Sequence, residues 1–403
     1  MFLPDLVVRS QRTVLATAVR PAAIHIRHGK IIGVMDFDDV PDGCPLDDAA
    51  NLVVMPGLVD THVRVEEGFE TATRAAAAGG VTTIVVMPDR SGHSTRVATP
   101  VVDVGFWGDL APGNVPDIGA LAAGRVLGFT CDIAAAADIH AAIPVVAHVG
   151  LPLLVHGVLP GPIERAAAAA RASRGWFSRL IEAAGSTKYS AYLAARPREA
   201  ENAGISAAID VCRAHRVRTH ILHLSSSDAL TPLYHARASR LPISVETCPH
   251  YLAFVADEIP DEATAFHCDP PIRERENREY LWASLAGGLI QMIVSNHPHV
   301  SSLELSLAAT WTEASARGYS LNQIVEWMCR APARLAGLAR KGAIEVGFDA
   351  DLALWNPETA FAASGAYSGR RLRGLVERTY LRGVRIYKRG TPIDSPIGQL
   401  LTR

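Results

Sequence analysis

Cysteine is scarce in this chain of 403 residues, and the spacing of the cysteines along the sequence matches no known motif. The six residues contain no Cys-x-x-Cys pair and lie scattered at Cys44, Cys131, Cys212, Cys248, Cys268 and Cys329. Their scatter indicates neither a disulfide framework nor a zinc site built from thiolates. No G-x-G-x-x-G pattern follows an early apolar run, which disfavours a dinucleotide-binding fold.

An excess of one charge and long apolar runs are also lacking. The chain has 39 Lys and Arg against 41 Asp and Glu, a formal net charge of −2. This balance gives no reason to expect nucleic acid or an anionic membrane as a partner. No apolar run reaches membrane-spanning length, and Asp5 interrupts the N-terminal stretch where a signal peptide would be apolar. We therefore expect a cytoplasmic protein.

After Pro56, apolar β-branched runs alternate with Ala-rich helical stretches. Strands buried on both faces read as continuous apolar runs, and their alternation with helices predicts a parallel sheet. Eight such runs over this length favour an α/β fold of the (β/α)8 TIM-barrel type over an open sheet. The runs are LVDTHVRV (58–65), TTIVVMP (82–88), VDVGFWG (102–108), RVLGFTCDI (125–133), PLLVHG (152–157), THILHLSS (219–226), ISVETCPHYL (243–252) and QMIVSNH (291–297).

Both ends of the chain read instead as short strands separated by turn residues. The simplest way to pair these strands is within one small domain. We therefore predict a β-sandwich formed by residues 1–55 plus 342–403, beside a (β/α)8 barrel domain over residues 56–341.

Polar residues mark the predicted C-terminal ends of the barrel strands, where the chemistry of such barrels lies. A single histidine in a buried run is usually a core residue. Three histidines at the ends of different strands point instead to a common centre to which each presents a neutral imidazole nitrogen. The strand-end residues are His62 and Arg64 on the first strand, Thr130 on the fourth, His156 on the fifth, His223 on the sixth, and Asn296 and His297 on the eighth.

Motifs along nearly the whole chain resemble the cyclic amidohydrolases, most closely the allantoinases, then hydantoinases and dihydroorotases. They are VVMPGLVDTHV, EGFETATRAAAAGGVTTIVVMP, VDVGFWG, LPLLVH, HILHLSS, VETCPHYL, PPIRERENREYLWASL and APARLAGLARKGAIEVGFDADL. The resemblance implies a (β/α)8 barrel with a small β-sandwich, and assembly into dimers or tetramers. It also implies hydrolysis of a ring amide such as that of allantoin.

The resemblance further implies a two-metal site. Its ligands are an H-x-H pair, a carboxylated lysine bridging the ions, two further histidines, and an aspartate that also accepts a proton. Carried over to this chain, three histidine ligands are retained: His62, His156 and His223. The other three positions are replaced: Arg64 stands at the second histidine of the pair, Thr130 at the lysine and Asn296 at the aspartate.

These replacements remove the anions that such a site needs. A threonine hydroxyl cannot take up carbon dioxide as a lysine does, and asparagine has neither charge nor a basic lone pair. Arginine stays protonated and repels a nearby dication. We therefore predict a degenerate metal centre that does not hydrolyse cyclic amides by the two-metal mechanism, and we expect no cofactor.

Loops on the predicted functional face are also shorter than in the resembled family. HVRV runs almost directly into EEGFE, and the connections after the second and eighth strands lack segments that the family has. Loops tolerate deletion in general. The short loops therefore count only together with the replaced ligands.

Three functions remain open. The protein is a non-catalytic partner of an active relative, or a repurposed enzyme that uses Arg64 as a fixed cation to bind a carboxylate or polarise a carbonyl. Alternatively, it is an active cyclic amidohydrolase with a single zinc on His62, His156 and His223, since three histidines are a known ligand set for catalytic zinc. In each case a small-molecule ligand and a homo-oligomer are expected, with no nucleic acid or membrane partner.

Three further residues are pocket candidates. Asp60 either orients a histidine or satisfies backbone donors at the strand end. Arg273 belongs to a family segment near the pocket, and His297 could assist a single ion.

Overall fold

The computed structural model describes residues 3–66, 68–88, 100–110, 118–123, 126–135, 140–172, 188–298, 300, 302–391 and 396–402. The chain divides into two compact units. The first unit comprises Met1–Trp107 with Met292–Arg403, and the second comprises Gly108–Gln291.

The strands in the described residues are numbered in chain order. They are β1 (Leu6–Val14), β2 (Val19–Arg27), β3 (Lys30–Met35), β4 (Leu46–Asp48), β5 (Val53–Pro56), β6 (Leu58–Val63), β7 (Val81–Val86), β8 (Asp103–Phe106), β9 (Gly108–Asp109), β10 (Phe129–Asp132), β11 (Leu153–His156), β12 (Thr219–Ile221), β13 (Ile243–Thr247), β14 (Met292–Ile293), β15 (Leu352–Ala362), β16 (Arg371–Leu381) and β17 (Val384–Lys388).

The α-helices are numbered in the same way. They are α1 (Phe69–Ala78), α2 (Ile118–Ala122), α3 (Ile143–Val149), α4 (Pro160–Ala172), α5 (Tyr189–Ala194), α6 (Arg198–His215), α7 (Leu230–Ala238), α8 (Pro249–Ala253), α9 (Arg275–Ala286), α10 (Ser306–Ala316), α11 (Leu321–Val325) and α12 (Ala331–Leu335). A π-helical turn, Glu326–Arg330, joins α11 to α12. No helix in the described ranges is long and apolar enough to span a membrane.

Both ends of the chain combine in one sheet of the first unit. Its strand order is β17-β16-β15-β5-β1-β2-β3, and β4 pairs with β1. The antiparallel pairing of β5 with β15 places Val54 opposite Leu354 and so joins the N-terminal strands to the C-terminal ones. One face packs a β-branched and leucine core that includes Val8, Ile24 and Leu352. The predicted β-rich domain of the two termini is thus present, and its exact boundaries stay a prediction.

The other two sheets consist of parallel strands. In the first unit β6, β7 and β8 form a parallel sheet, with α1 connecting β6 to β7. In the second unit β9 to β13 lie side by side in sequence order, all parallel. Strands β6 and β7 are buried throughout, as their continuous apolar runs predict.

Several predicted strands are longer than the observed ones. The eighth predicted strand, residues 291–297, is extended only over β14, and the sixth, residues 219–226, only over β12. In both, a residue with positive φ follows shortly after the strand: Asn296 at 53°, three residues after Ile293, and His223 at 38°, two residues after Ile221. The apolar run alone does not signal where the strand ends, because the residues directly after each strand remain buried.

A buried charge cluster in the first unit ties the C-terminal segment to β8. The ammonium of Lys341 lies 2.8 Å from Asp103 Oδ2 and 2.6 Å from Asp351 Oδ2. Arg382 Nη1 donates to Asp103 Oδ1 at 2.7 Å, and the same oxygen accepts the Gln399 N–H at 2.8 Å. Burial lowers the pKa of Lys341, but the two aspartates outweigh it and raise that pKa above its ordinary value. The lysine is therefore charged and needed by both carboxylates.

Replacing Lys341 tests this cluster. We expect Lys341→Met to lower the free energy of unfolding by about 3–5 kcal/mol in urea titration, because it removes the cation that the buried Asp351 carboxylate contacts and leaves Asp103 with Arg382. The matched control is Lys30→Met, whose side chain is 44% exposed and lies 3.4 Å from Asp349. Its loss should stay below about 1 kcal/mol. Equal losses in both variants would contradict the structural role of the cluster.

Candidate functional site

Two of the predicted ligands meet in the second unit. His156 ends β11 and is half-buried, and His223 follows β12 by two residues and is buried. Nδ1 of His156 lies 2.9 Å from Nε2 of His223, with the ring centroids 4.9 Å apart. At that distance one ring donates an N–H to the lone pair of the other. The ends of two neighbouring strands thus bring two imidazoles into direct contact.

The spacing of this pair fits two positions in the shell of one metal ion. Zinc–nitrogen bonds are about 2.0–2.1 Å long, so two nitrogens on a tetrahedral zinc stand about 3.3 Å apart. The pair needs to open by only about 0.4 Å to reach that separation. In the part of the chain that the structure describes, no group of three or more His, Cys, Asp or Glu side chains is arranged to hold a metal. The pair fits part of a shell, and the remaining positions would fall to water or to other ligands.

The loop after β12 holds His223 through its backbone. Its positive φ of 38° is a left-handed conformation that costs a non-glycine residue about 1–2 kcal/mol. The His223 N–H donates to Glu246 Oε1 at 3.2 Å, and the Leu224 N–H donates to the Glu246 carbonyl at 2.8 Å. Glu201, on α6, accepts the N–H groups of the next two residues, Ser225 at 2.7 Å and Ser226 at 3.0 Å. Both buried carboxylates hold this loop, Glu246 at His223 itself and Glu201 at the two serines that follow Leu224.

Close packing of backbone supports the His156 side of the pair. A Cβ placed on Gly204 of α6 would lie 2.5 Å from the carbonyl carbon of Gly157, the residue after His156. Only glycine at position 204 lets the helix approach the strand end this closely. The helix that carries Glu201 thus also packs against the residue that follows His156.

The side chains of Thr130 and Arg273 each donate a hydrogen bond to a backbone carbonyl in the second unit. Thr130 is buried in β10 and its hydroxyl donates to the Gly108 carbonyl at 3.4 Å. The prediction that Thr130 ends its strand is wrong, because β10 continues to Asp132 in register with β11. Arg273 is buried and donates to the Arg196 carbonyl at 3.0 Å. Burial raises the pKa of Glu201, and the nearby Arg273 charge opposes that rise.

In the first unit, the Asp60 carboxylate accepts hydrogen bonds from two backbone N–H groups. Its Oδ1 accepts the His62 N–H at 3.1 Å and its Oδ2 accepts the Ser295 N–H at 2.9 Å. Burial raises the pKa of Asp60 to about 6, against the lowering effect of these hydrogen bonds. Of the two roles open to Asp60 from the sequence, these contacts match the binding of backbone donors. Buried His62 lies within β6, one residue before its end.

Arg64 and His297 share one edge of the first unit through their backbones. The Arg64 N–H donates to the His297 carbonyl at 2.8 Å, and the His297 N–H donates to Ser295 Oγ at 3.1 Å. Arg64 is exposed, whereas the Asn296 residue is buried. The prediction that the eighth strand runs unbroken to Asn296 and His297 is wrong, because β14 stops at Ile293 and Asn296 takes a positive φ. His297 itself forms a parallel β-bridge with Val63 of β6.

Sequence reasoning missed the two carboxylates behind the histidine pair. Glu246 is 0% exposed and Glu201 is 3% exposed, although both are charged types that are almost never fully buried unless partnered. A signal was present, since Glu246 interrupts the apolar run ISVETC of a predicted barrel strand. A carboxylate in such a position requires donors from neighbouring segments.

The family model of the amidohydrolase family matches residues 133–370, more than half of the chain. An allantoinase of Streptomyces avermitilis is 39% identical, with 99% of both chains covered. An allantoinase of Arabidopsis thaliana is 32% identical, over 98% of this chain and 90% of the relative. This chain therefore belongs to the amidohydrolase family, among relatives that include allantoinases.

Solved structures give the same fold. The L-hydantoinase of Arthrobacter aurescens superposes with a TM-score of 0.85 at 26% identity, covering 99% of this chain and 100% of that one. The dihydropyrimidinase of Brevibacillus agri gives a TM-score of 0.87 at 22% identity, with 98% of each chain covered. The predicted fold class, a (β/α)8 barrel with a β domain from both termini, is confirmed.

The alignment with the Streptomyces relative also bears on the loops. It extends over 455 positions, which exceeds the 403 residues of this chain by 52. At least that many positions of the alignment have no counterpart here. The short connections on the predicted functional face stay a prediction from the sequence.

Removing the Asp60 carboxylate tests its backbone role. We expect Asp60→Ala to lower the free energy of unfolding by about 2–4 kcal/mol, because two buried N–H groups lose their acceptor. The control is Asp132→Ala, whose carboxylate accepts the Ala134 N–H in a more exposed place. Its expected loss is at most about 1 kcal/mol, since water can replace the acceptor. Chemical denaturation measures both, and a loss at Asp60 no larger than at Asp132 would refute the role.

Proposed function

We propose that this protein hydrolyses a C–N bond of a ring amide or ureide, the substrate class of allantoinases and hydantoinases, with one zinc ion bound by His156 and His223. The observation that carries the proposal is the 2.9 Å contact between the two imidazoles. The 39% identity to an allantoinase, with 99% of this chain covered, supports the substrate class. The assignment of His62 as a third ligand stays a prediction from the resemblance.

The residues favour one ion over two. When bound, a single zinc supplies a hydroxide at neutral pH and polarises a carbonyl oxygen. Two neutral imidazoles suit one such ion. A second dication would need the negative charge that Thr130 and Asn296 do not provide. Since Asn296 cannot accept a proton at neutral pH either, the proton of the attacking water has to be taken by a group other than the residue at that position.

The second candidate is a protein that binds a cyclic ureide, or an active relative, without hydrolysing the ring. Loss of an anion at Thr130 and of a base at Asn296 favours it. The exposure of Arg64 weakens two other arguments, because a charge near solvent repels an ion less strongly than a buried charge and does not act as a buried fixed cation. The competing readings therefore differ mainly in whether the histidine pair retains a metal.

The proposal also covers the oligomeric state of the protein and its location in the cell. We expect a homodimer or homotetramer, alone or with an active relative, in the cytoplasm. Size-exclusion chromatography with light scattering checks the assembly, and a monomer at micromolar concentration would contradict it.

Metal content and turnover together decide between the two candidates. Protein purified without chelator should contain about one zinc per chain, and it should hydrolyse allantoin, a hydantoin or dihydroorotate. His156→Ala and His223→Ala should each lose the zinc and the activity, because each removes a ligand. His235→Ala, at an exposed position of α7, is the matched control and should change neither. Protein without zinc or turnover, also after zinc is added, would favour the non-hydrolytic candidate.

Restoring the family's ligands tests the one-ion limit. The triple variant Arg64→His, Thr130→Lys and Asn296→Asp returns a histidine, a lysine and a carboxylate to the replaced positions. We expect metal analysis by mass spectrometry to rise from one ion per chain to two. Thr130→Met, which adds bulk without an amine, serves as the control and should stay at one. A triple variant that gains no ion would show that these replacements do not set the limit.

A further inference from the structure

Glu246 is the one carboxylate found to touch both the backbone of His223 and a second buried histidine among the residues that the structure describes. Its Oε1 accepts the His223 N–H at 3.2 Å, and its Oε2 lies 3.0 Å from Nε2 of His220. Glu246 and His220 are both 0% exposed. The carboxylate therefore joins the end of β13 to two residues at the end of β12.

His220 is itself fixed in place on the far side of this contact. Its Nδ1 lies 2.8 Å from Ser244 Oγ, so both ring nitrogens have partners. A buried carboxylate is stable only when donors satisfy its oxygens, and His220 supplies one of them. With Oε2 held by His220, the other oxygen is left in a defined position for the His223 N–H.

The backbone of His223 requires such an acceptor. At a φ of 38° the chain has left the β12 ladder, so its N–H has no place in the sheet. A left-handed residue of this kind persists only where surrounding contacts determine it. The side-chain oxygen of Glu246 and its carbonyl hold two consecutive N–H groups, those of His223 and Leu224. Together they set the direction in which the His223 ring leaves the backbone.

A purely structural buried pair would explain the contact between Glu246 and His220 alone. It would not explain why the second oxygen binds the residue whose ring contacts His156. Glu201 provides the comparison, because it is also buried and also accepts two N–H groups of this loop, at Ser225 and Ser226. Of these two carboxylates, Glu246 is the one whose described contacts include His223 itself.

We propose that Glu246 is a positioning residue for the His156–His223 pair, and that it sets the separation of the two imidazoles by fixing the backbone of His223. The inference rests on the proposed function only where it concerns metal binding. The separation of the rings in metal-free protein is independent of it.

The decisive variants are Glu246→Met, Glu246→Gln and the matched control Glu201→Met. Each methionine removes the acceptor of two buried donors: the His223 N–H and the His220 ring for Glu246, and the Ser225 and Ser226 N–H groups for Glu201. Glutamine keeps an amide oxygen for the His223 N–H. Crystal structures of the metal-free variants report the distance from His156 Nδ1 to His223 Nε2. We expect the 2.9 Å contact to be lost in Glu246→Met and kept in Glu246→Gln and Glu201→Met.

Cobalt(II) titration followed by visible absorption gives the second readout. Residues that orient a ligand typically contribute about 10- to 100-fold to metal affinity. We expect a loss of that size in Glu246→Met, a smaller loss in Glu246→Gln, and less than about threefold in Glu201→Met. Wild-type protein that binds no cobalt would count against the proposed one-metal function, and the ring separation would still test Glu246.

The inference is overturned if Glu246→Met keeps the imidazole contact, or if Glu201→Met breaks it to the same extent. If Glu246→Met does not fold, Glu246→Asp replaces it. The shorter side chain can reach His220 or the His223 N–H but not both, so a lengthened His156–His223 distance is expected. An unchanged distance in Glu246→Asp would overturn the inference as well.

Discussion

The contact between His156 and His223 depends on a backbone that leaves its strand early. Strand β12 stops at Ile221, and the positive φ of His223 turns its ring toward the end of β11. The buried Glu246 carboxylate holds His223 in this turn by accepting its backbone N–H, and Glu201 accepts those of Ser225 and Ser226 further along the loop. A parallel sheet supplies the neighbouring strand ends, and these hydrogen bonds convert them into a site.

The resemblance predicts that the charge of this site differs from that of its family. Three positions that the resemblance assigns to metal ligands carry Arg64, Thr130 and Asn296, so the anions expected for two ions are lacking. The structure changes the weight of these replacements. Arg64 is exposed, and Thr130 uses its hydroxyl on a neighbouring strand. What argues against two ions is therefore missing negative charge more than added positive charge.

Much of the fold could be predicted from the sequence, because its signals are local. Continuous apolar runs mark buried parallel strands, and they identified β6, β7 and β11 with errors of a few residues at their ends. Strand ends at Thr130, His223 and Asn296 were predicted wrongly because positive φ values and registers depend on distant partners. The roles of Glu246 and Glu201 were not predicted for the same reason. The backbone N–H groups that each carboxylate accepts lie some twenty residues away in sequence, and no spacing rule connects them.

The most direct test of a one-metal histidine site is anomalous diffraction at the zinc edge from crystals grown with zinc and without chelator. A single peak within bonding distance of His156 Nδ1 and His223 Nε2 is the predicted result. Two peaks, or none at the pair, would contradict it.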